Sequence, residues 1–182
     1  MKIATKEDVI KLIRSDAWMM DILETVQTFH LPDCWICAGF VRSKVWDALH
    51  HFKDRTPLTD VDIVYFDDTN LNVSEEKRFE KKLLALQPNV PWSVKNQARM
   101  HVRNNVDPYT STVDAVAKFP ETATALAVQL NDKGELILSA PHGVHDLFNL
   151  EVKPTPYFKI SRERMKIYHK RLETKKWKTA LV

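Results

Sequence analysis

The sequence predicts an α+β fold, a β-sheet flanked by helices with a hairpin and a helix added toward the carboxyl end. Three observations carry this. Apolar residues recur at helical spacing in several separate segments, and these alternate with short apolar runs that read as strands. The first such run ends in an Ala38-Gly39-Phe40 turn that leads directly into a helical pattern. The second opens with two carboxylates one residue apart, Asp60-Val61-Asp62-Ile63-Val64-Tyr65-Phe66. Residues i and i+2 of a strand share a face with Cα atoms about 6.5 to 7 Å apart. Both carboxylates can therefore converge on hard divalent cations, a geometry suited to phosphoryl transfer. The other reading of the segment is a turn acid followed by a buried, paired aspartate.

In chain order, Thr5 caps a short first helix with Asp8 at N3, and a second helix from about Asp16 to Phe29 carries Trp18, Ile22, Val26 and Phe29 at helical spacing. Leu31-Pro32-Asp33 ends it. The first strand covers about Cys34 to Ala38, and the helix after Gly39 turns Val41, Val45, Leu49 and Phe52 inward. A loop from His51 to Thr59 delivers the second strand, Asp60 to Phe66. A helix runs from Ser74 to Leu86, and Trp92 to Lys95 forms a third strand that enters a helix from Asn96 to Arg103. Ser111 to Lys118 is a short helix. Thr122 to Leu130 and Glu135 to Ser139 form a hairpin around Asn131-Asp132-Lys133-Gly134, and Ile160 to Trp177 is a closing helix.

Composition bounds the function. The 182 residues suit a single domain, 1–182, with amino-terminal helices over 1–33, a core over 34–103 and an elaboration over 104–182. Three glycines exclude a glycine-rich dinucleotide loop or a P-loop. Met1 to Asp8 contains no apolar signal region and no later run approaches a membrane span, so a cytoplasmic protein without a membrane partner is expected. Cys34 and Cys37 lack the context of a redox pair or a zinc site and read as reduced thiols on opposite sides of the sheet. Net charge is only +3, yet no acid lies between Lys81 and Val106, and ten Lys and Arg follow from Lys153 onward against Glu163 and Glu173. Such stripes favour anionic ligands.

A glycine turn after strand one, facing paired aspartates on strand two, describes a phosphate cradle opposite a metal site. Backbone N–H groups at the start of the helix after Gly39 bind anionic oxygens, and Arg42 adds a fixed cation. On these residues the chain resembles the DNA polymerase beta-like nucleotidyltransferase superfamily. With Trp46-Asp47, Asn96-Gln97-Ala98-Arg99-Met100-His101 and Asp146-Leu147-Phe148 added, it resembles a small bacterial nucleotidyltransferase-like family within it, over about residues 30 to 165. The resemblance implies a mixed-sheet nucleotidyltransferase core with Mg²⁺ or Mn²⁺ as cofactor. Asp60 and Asp62 become catalytic metal ligands, and Gly39 sits at the triphosphate. The implied partners are a nucleoside triphosphate and a hydroxyl acceptor, whether small molecule, RNA or protein.

Two departures from the superfamily pattern stand out. Phe40 occupies the place of a Gly or Ser, and the third carboxylate is missing, with Asn96 in its expected place. Catalysis then needs base help from Asp67, Asp114 or Asp146, or else a self-activating acceptor. On a helix, Asn96, Arg99 and Arg103 share one face and Gln97 and His101 the next, a cluster suited to phosphate or base contacts. The expected nucleotide-binding residues are thus Gly39, Arg42, Lys95, Asn96, Gln97, Arg99 and His101, with no part for Lys175, Lys176 or Lys178. His142, His145 and Asp146 read as a turn with a helix cap or, alternatively, as a metal cluster.

The rival function is a non-catalytic nucleotide- or RNA-binding module. One geometric requirement follows: strands one and two must be antiparallel, so that Gly39, Asp60 and Asp62 line one cleft, with Asn96 facing it from strand three.

Overall fold

The computed structural model describes residues 3–175. Helices α1 (Lys6–Arg14) and α2 (Ala17–Gln27) precede strand β1 (Trp35–Cys37), helix α3 (Gly39–Leu49) and strand β2 (Val61–Tyr65). Helix α4 (Val73–Leu86), strand β3 (Trp92–Asn96), and helices α5 (Gln97–Asn104) and α6 (Thr112–Ala117) follow. Strands β4 (Ala127–Leu130) and β5 (Leu136–Ser139) lead to helices α7 (His145–Phe148), α8 (Pro156–Lys159) and α9 (Arg162–Thr174).

Local chemistry explains most boundaries. Thr5 and Asp8 form a capping box on α1, and the Asp16 side chain accepts the Met19 N–H at the start of α2. The hairpin turn closes on Gly134 at φ 73°, with the Asn131 side chain accepting the Lys133 and Glu135 N–H groups. The closing helix is shorter than its periodicity. Ser161 caps it, so Ile160 ends the separate turn of α8, and residues 176–177 lie outside those described. Strand β4 begins five residues later than expected, because the Thr124 hydroxyl and the Thr124 and Ala125 N–H groups fold back onto Glu121. Phe52, expected inward, falls beyond α3, is 49% exposed and stacks on His50.

The sheet is mixed, in the order β3-β2-β1-β4-β5. β1 pairs antiparallel with both β2 and β4, whereas β2 and β3 are parallel. Alternation sorts the two faces. Ile36, Val61, Ile63, Tyr65, Val94 and Val128 join the main core with residues of α1 to α4, among them Val9, Ile22, Val41 and Leu83. Trp35, Cys37, Val64, Ala125, Ala127 and Val116 make a second, thinner core on the other face. Asp62 stands on that thinner side, because it pairs with Cys37 on β1 and Ser93 on β3. Among the described residues no helix is long and apolar enough to cross a membrane.

Candidate active site

The antiparallel β1–β2 pairing decides the site. Cys37 lies opposite Asp62, so Gly39, just past β1, and Asp60, just before β2, come to the same end of the sheet. There a cavity of about 600 Å³ is lined by Gly39, Arg42, Asp60 and Asp62 together with residues of the loop before β2 and of the end of α9.

Helix α3 supplies one wall. Gly39, Arg42, Ser43, Trp46, Asp47 and His50 all line the cavity, at the three- and four-residue spacing of one helix face. This stripe complements the inward Val41 and Val45, so the same periodicity that marks the core also marks the cleft. Phe40, the bulky residue of the turn, is buried in the main core against Trp18 and leaves the cleft clear. A Cβ added at Gly39 would lie 3.7 Å from the Arg42 Nη2 and 3.9 Å from Leu58, filling space beside the guanidinium. Ala38, the cap residue of α3, makes no side-chain cap hydrogen bond, whereas Thr5, Asp16, Asn72, Asn96, Ser111 and Ser161 cap their helices. The Ala38 N–H donates to the Leu126 carbonyl and the Val41 N–H to the Ala38 carbonyl, so it is the N–H groups of Gly39 and Phe40, with the dipole of an eleven-residue helix, that are left for an anion. Ala38 itself sits at φ 56°, ψ −114°, a strained conformation for a non-glycine residue of the kind found at functional turns.

The electrostatics are unbalanced. Burial first, and the neighbouring Asp60 charge second, push the Asp62 carboxyl up to about 6, against hydrogen bonding from Ser93 and the positive charges of Lys175 and Lys95. Burial, then Asp62 and Asp60, hold the Cys37 thiol well above its ordinary range, so Cys37 is a protonated neighbour and not a thiolate ligand. Both cysteines are free. Two oxygen-donor carboxylates on one strand face, with a hydroxyl beside them, form a donor set that fits a hard divalent cation.

The register corrects the expectation for Asn96. The residue beside Asp62 on β3 is Ser93, and Asn96 pairs with Tyr65, three residues and about 10 Å farther along. Its buried amide is occupied structurally: Oδ1 accepts the Asp67 and Ala98 N–H groups, and Nδ2 donates to the Asp67 and Asn70 carbonyls. Arg99 donates Nε (2.6 Å) and Nη2 (2.5 Å) to buried Glu76. Gln97 donates to the Lys95 carbonyl, and neither it nor His101 lines the cleft. Lys95 shares the Asp62 face but reaches Glu80 at 3.2 Å. Asp67, Asp114 and Asp146 also lie outside the cleft, accepting from Thr69, Lys118 and Thr122 respectively. The further acid that does line it, Asp47, accepts the Thr56 N–H at 2.9 Å and so pins the returning loop.

Sequence reasoning missed Arg171 and Lys175, which reach the cavity from α9 and the residue after it. Lys175, for which no part in nucleotide binding was expected, thus lines the cleft, and Lys176 and Lys178 lie outside the described residues. Of the alternative metal cluster, His142 is engaged elsewhere, its Nε2 2.7 Å from the Ala117 carbonyl, while His145 and Asp146 lie together with Glu151, where the Lys153 ammonium already lies 3.1 Å from Asp146 and 2.5 Å from Glu151.

A strand, a turn that presents helix N–H groups and an arginine, and two aspartates on the adjoining antiparallel strand together define the nucleotidyltransferase class. The chain belongs to the nucleotidyltransferase family, whose model matches residues 24–181. A solved structure described as a CCA-adding enzyme head domain is 34% identical with a TM-score of 0.85, covering 98% of this chain and 93% of that one. A CCA-adding enzyme in complex with CTP is 17% identical at a TM-score of 0.57, covering 95% of this chain and 43% of that one. The Thermotoga maritima CCA-adding enzyme complexed with tRNA is 16% identical at a TM-score of 0.53, covering 95% and 42%. These two share the fold, and the chain spans about two-fifths of their length. A comparison with curated proteins returns no match.

Proposed function

We propose that this nucleotidyltransferase is metal-dependent and passes a nucleotidyl group from a nucleoside triphosphate to a hydroxyl acceptor. The observation that carries the reading is the meeting of Gly39, Arg42, Asp60 and Asp62 in one cavity. In this reading Asp60 and Asp62 hold Mg²⁺ or Mn²⁺ through carboxylate oxygens. The bound cations supply Lewis-acid stabilisation of phosphoryl charge. The α3 N-terminus and Arg42 bind the triphosphate and orient its α-phosphorus toward the aspartates. Space beside Gly39, kept open by the missing Cβ, lets a phosphate oxygen approach the helix start. The acceptor is a hydroxyl on a small molecule, an RNA or a protein, and the expected compartment is the cytoplasm. That relatives of this fold are described with CTP and with tRNA supports a nucleotide donor and keeps RNA among the acceptors.

Ser93 at the place of a third carboxylate supports a second reading, a nucleotide- or RNA-binding module without catalysis. A serine hydroxyl is no general base for another hydroxyl. Calorimetric titration with each nucleoside triphosphate, with Mg²⁺ or Mn²⁺ and then with chelator, separates the two. Binding that requires the metal, followed by pyrophosphate release on adding an acceptor, is the expected outcome. Binding unchanged by chelator would favour the module, and no binding under either condition would overturn both.

A further inference from the structure

The carboxyl end of α3 brings to the cavity an aromatic ring that phosphate chemistry does not use. Gly39 opens the helix, and His50 and Phe52 stand just past its other end, roughly 16 Å away by the helical rise, yet all three line one cavity. The other aromatic side chains there are occupied. Trp46 is buried with the Arg42 guanidinium over its ring, and Phe119 packs against the thinner core. Phe52 keeps 49% of its surface exposed.

The backbone fixes where that ring lies. His51 adopts the left-handed conformation, at φ 58°, that glycine usually supplies after a helix. The His51 N–H then donates to the Ala48 carbonyl at 3.3 Å and the Phe52 N–H to the Asp47 carbonyl at 2.9 Å, the two bonds of a Schellman turn. This turns Phe52 back onto the helix end, where its ring lies on His50 with centroids 5.2 Å and planes 20° apart. The chain beyond is tied down as well. Arg55 donates Nη2 to both oxygens of Asp16, at 2.8 and 2.7 Å, and the Thr56 N–H donates to Asp47 at 2.9 Å. The stack has a cost, because the His50 Nε2 is buried with no hydrogen-bond partner among the described residues. A ring that only closed the helix end would bury its surface on an apolar neighbour. Phe52 instead covers a polar ring and leaves much of its own surface open.

We propose that Phe52, laid on His50, is the platform on which the base of the donor nucleotide stacks, with the triphosphate toward the Gly39 end of the same cavity. The inference rests on the nucleotidyltransferase reading of that cleft. A flat ring and a phosphate chain at the two ends of one molecule match an aromatic face and a helix start at the two ends of one helix. Phe52 touches the base. His50 acts through Phe52 and is a positioning residue.

The test uses the full chain with Mg²⁺ and two kinds of probe in calorimetry: the four ribonucleoside triphosphates, and inorganic tripolyphosphate, which has the phosphates without the base. Phe52→Ala and Phe52→Leu are each expected to weaken every nucleoside triphosphate about tenfold, the effect of losing one base–aromatic stack, with tripolyphosphate affinity within about twofold of wild type. Phe52→Trp retains nucleotide affinity. His50→Ala weakens the nucleotides but not tripolyphosphate, and His50→Phe, which keeps a ring beneath Phe52, recovers the loss. A purely structural role for His50 would lower the affinity of both kinds of probe together with the thermal midpoint. Leu86→Ala, at an exposed apolar residue of α4 outside the cleft, leaves every value unchanged. If Phe52→Ala fails to fold, Phe52→Leu, which still covers the helix end, decides the matter. Wild-type nucleotide affinity in the Phe52 variants, or an equal loss with tripolyphosphate, would overturn the platform while metal-dependent triphosphate binding stood. A raised KM for the acceptor at unchanged nucleotide affinity would overturn it too, by giving the ring to the acceptor. Failure of the wild-type chain to bind either kind of probe would remove the nucleotidyltransferase reading and the platform with it.

Discussion

The parallel β2–β3 pair carries a charged cluster at each end, and the two clusters are built on opposite principles. At the end marked by Asn96, fully buried Glu76 takes a bidentate pair from Arg99 and the Asn96 N–H, while Glu80 takes the Val94 N–H and Lys95. The two α4 carboxylates thereby satisfy outward N–H groups of an edge strand, the service a further strand would perform, and the cations neutralise them. At the end marked by Asp60, two carboxylates stand together with no ion pair to either among the described residues, beside a strained turn and an uncapped helix. A cluster whose charges cancel internally is structural. One that leaves charge uncancelled out of water is built for a ligand.

The sharpest way to break that contrast is to neutralise each end in turn. Asp60→Asn and Asp62→Asn are expected to lower nucleotidyl transfer by about a thousandfold, near 4 kcal/mol of transition-state stabilisation, and to abolish Mn²⁺ binding measured by calorimetry, with the fold intact. Wild-type turnover in either variant would mean that the aspartates are not the metal site. At the other end Glu76→Gln leaves Arg99 without its buried counter-charge. A loss of about 3 kcal/mol in urea unfolding is expected, with triphosphate affinity of the folded protein unchanged. A fall in affinity without a fall in stability would reverse the assignment of the two ends.

These two ends also mark how far the sequence could be read. The Asp-x-Asp strand, the Gly39 turn and the antiparallel return were legible because each is local: a period of two, a turn glycine, and a loop long enough to climb back. The placement of Asn96 was not, because a strand's register against its neighbour is a nonlocal property. Trp92 to Asn96 reads equally well with Asn96 or with Ser93 beside Asp62, and a shift of three residues moves a side chain about 10 Å and to the other face. Arg99 looked like a phosphate ligand because its counter-ion, Glu76, lies in a different helix that the stretch between Lys81 and Val106 does not include. Arg171 and Lys175 were invisible for a related reason. A basic helix has the same composition whether it faces water or a cleft, and tertiary contacts, among them Arg171 on Glu121 and the Tyr168 hydroxyl on the Val152 carbonyl, fix which face α9 presents. The cleft stripe on α3 was recoverable in part, since Arg42, Ser43, Trp46 and Asp47 are among the residues left once the inward stripe is assigned.

A smaller effect isolates the cost of the Asp62 charge in the metal-free protein, set by burial first and the neighbouring Asp60 charge second. Asp62 is an acid whose folded value, about 6, lies above its ordinary 3.8. The folded state therefore binds its proton more tightly than the unfolded state, and stability declines as pH rises through the interval from about 4 to 6. Above that interval the full cost of the buried charge, on the order of 1 to 3 kcal/mol, is present. Asp62→Asn should thus stabilise the metal-free chain by that amount at pH 7 and by almost nothing at pH 3.5, measured by urea unfolding at both values. Metal must compete with the same proton, so wild-type Mn²⁺ affinity should fall steadily below pH 6. Equal gains at both pH values would place the effect of the substitution in packing instead of charge.

Lys95 belongs to both ends and gives the finest comparison. It stands on the Asp62 face of β3, where its charge is among the weaker influences favouring the ionised carboxylate, while its ammonium reaches Glu80 at 3.2 Å and Glu76 at 4.0 Å. Its side chain is 25% exposed, so solvent screens both interactions. Lys95→Met keeps the apolar stem against the sheet and removes only the charge. Two small changes are expected: a stability loss below about 1 kcal/mol from the Glu80 end, and an upward move of less than about half a pH unit in the midpoint of Mn²⁺ binding from the Asp62 end. Triphosphate affinity at saturating metal should stay within about twofold, because a lysine held by α4 carboxylates does not also hold a phosphate. A tenfold loss of triphosphate affinity would mean that Lys95 leaves Glu80 when the ligand arrives, and the boundary between the structural and the ligand-binding end would then run through β3 itself.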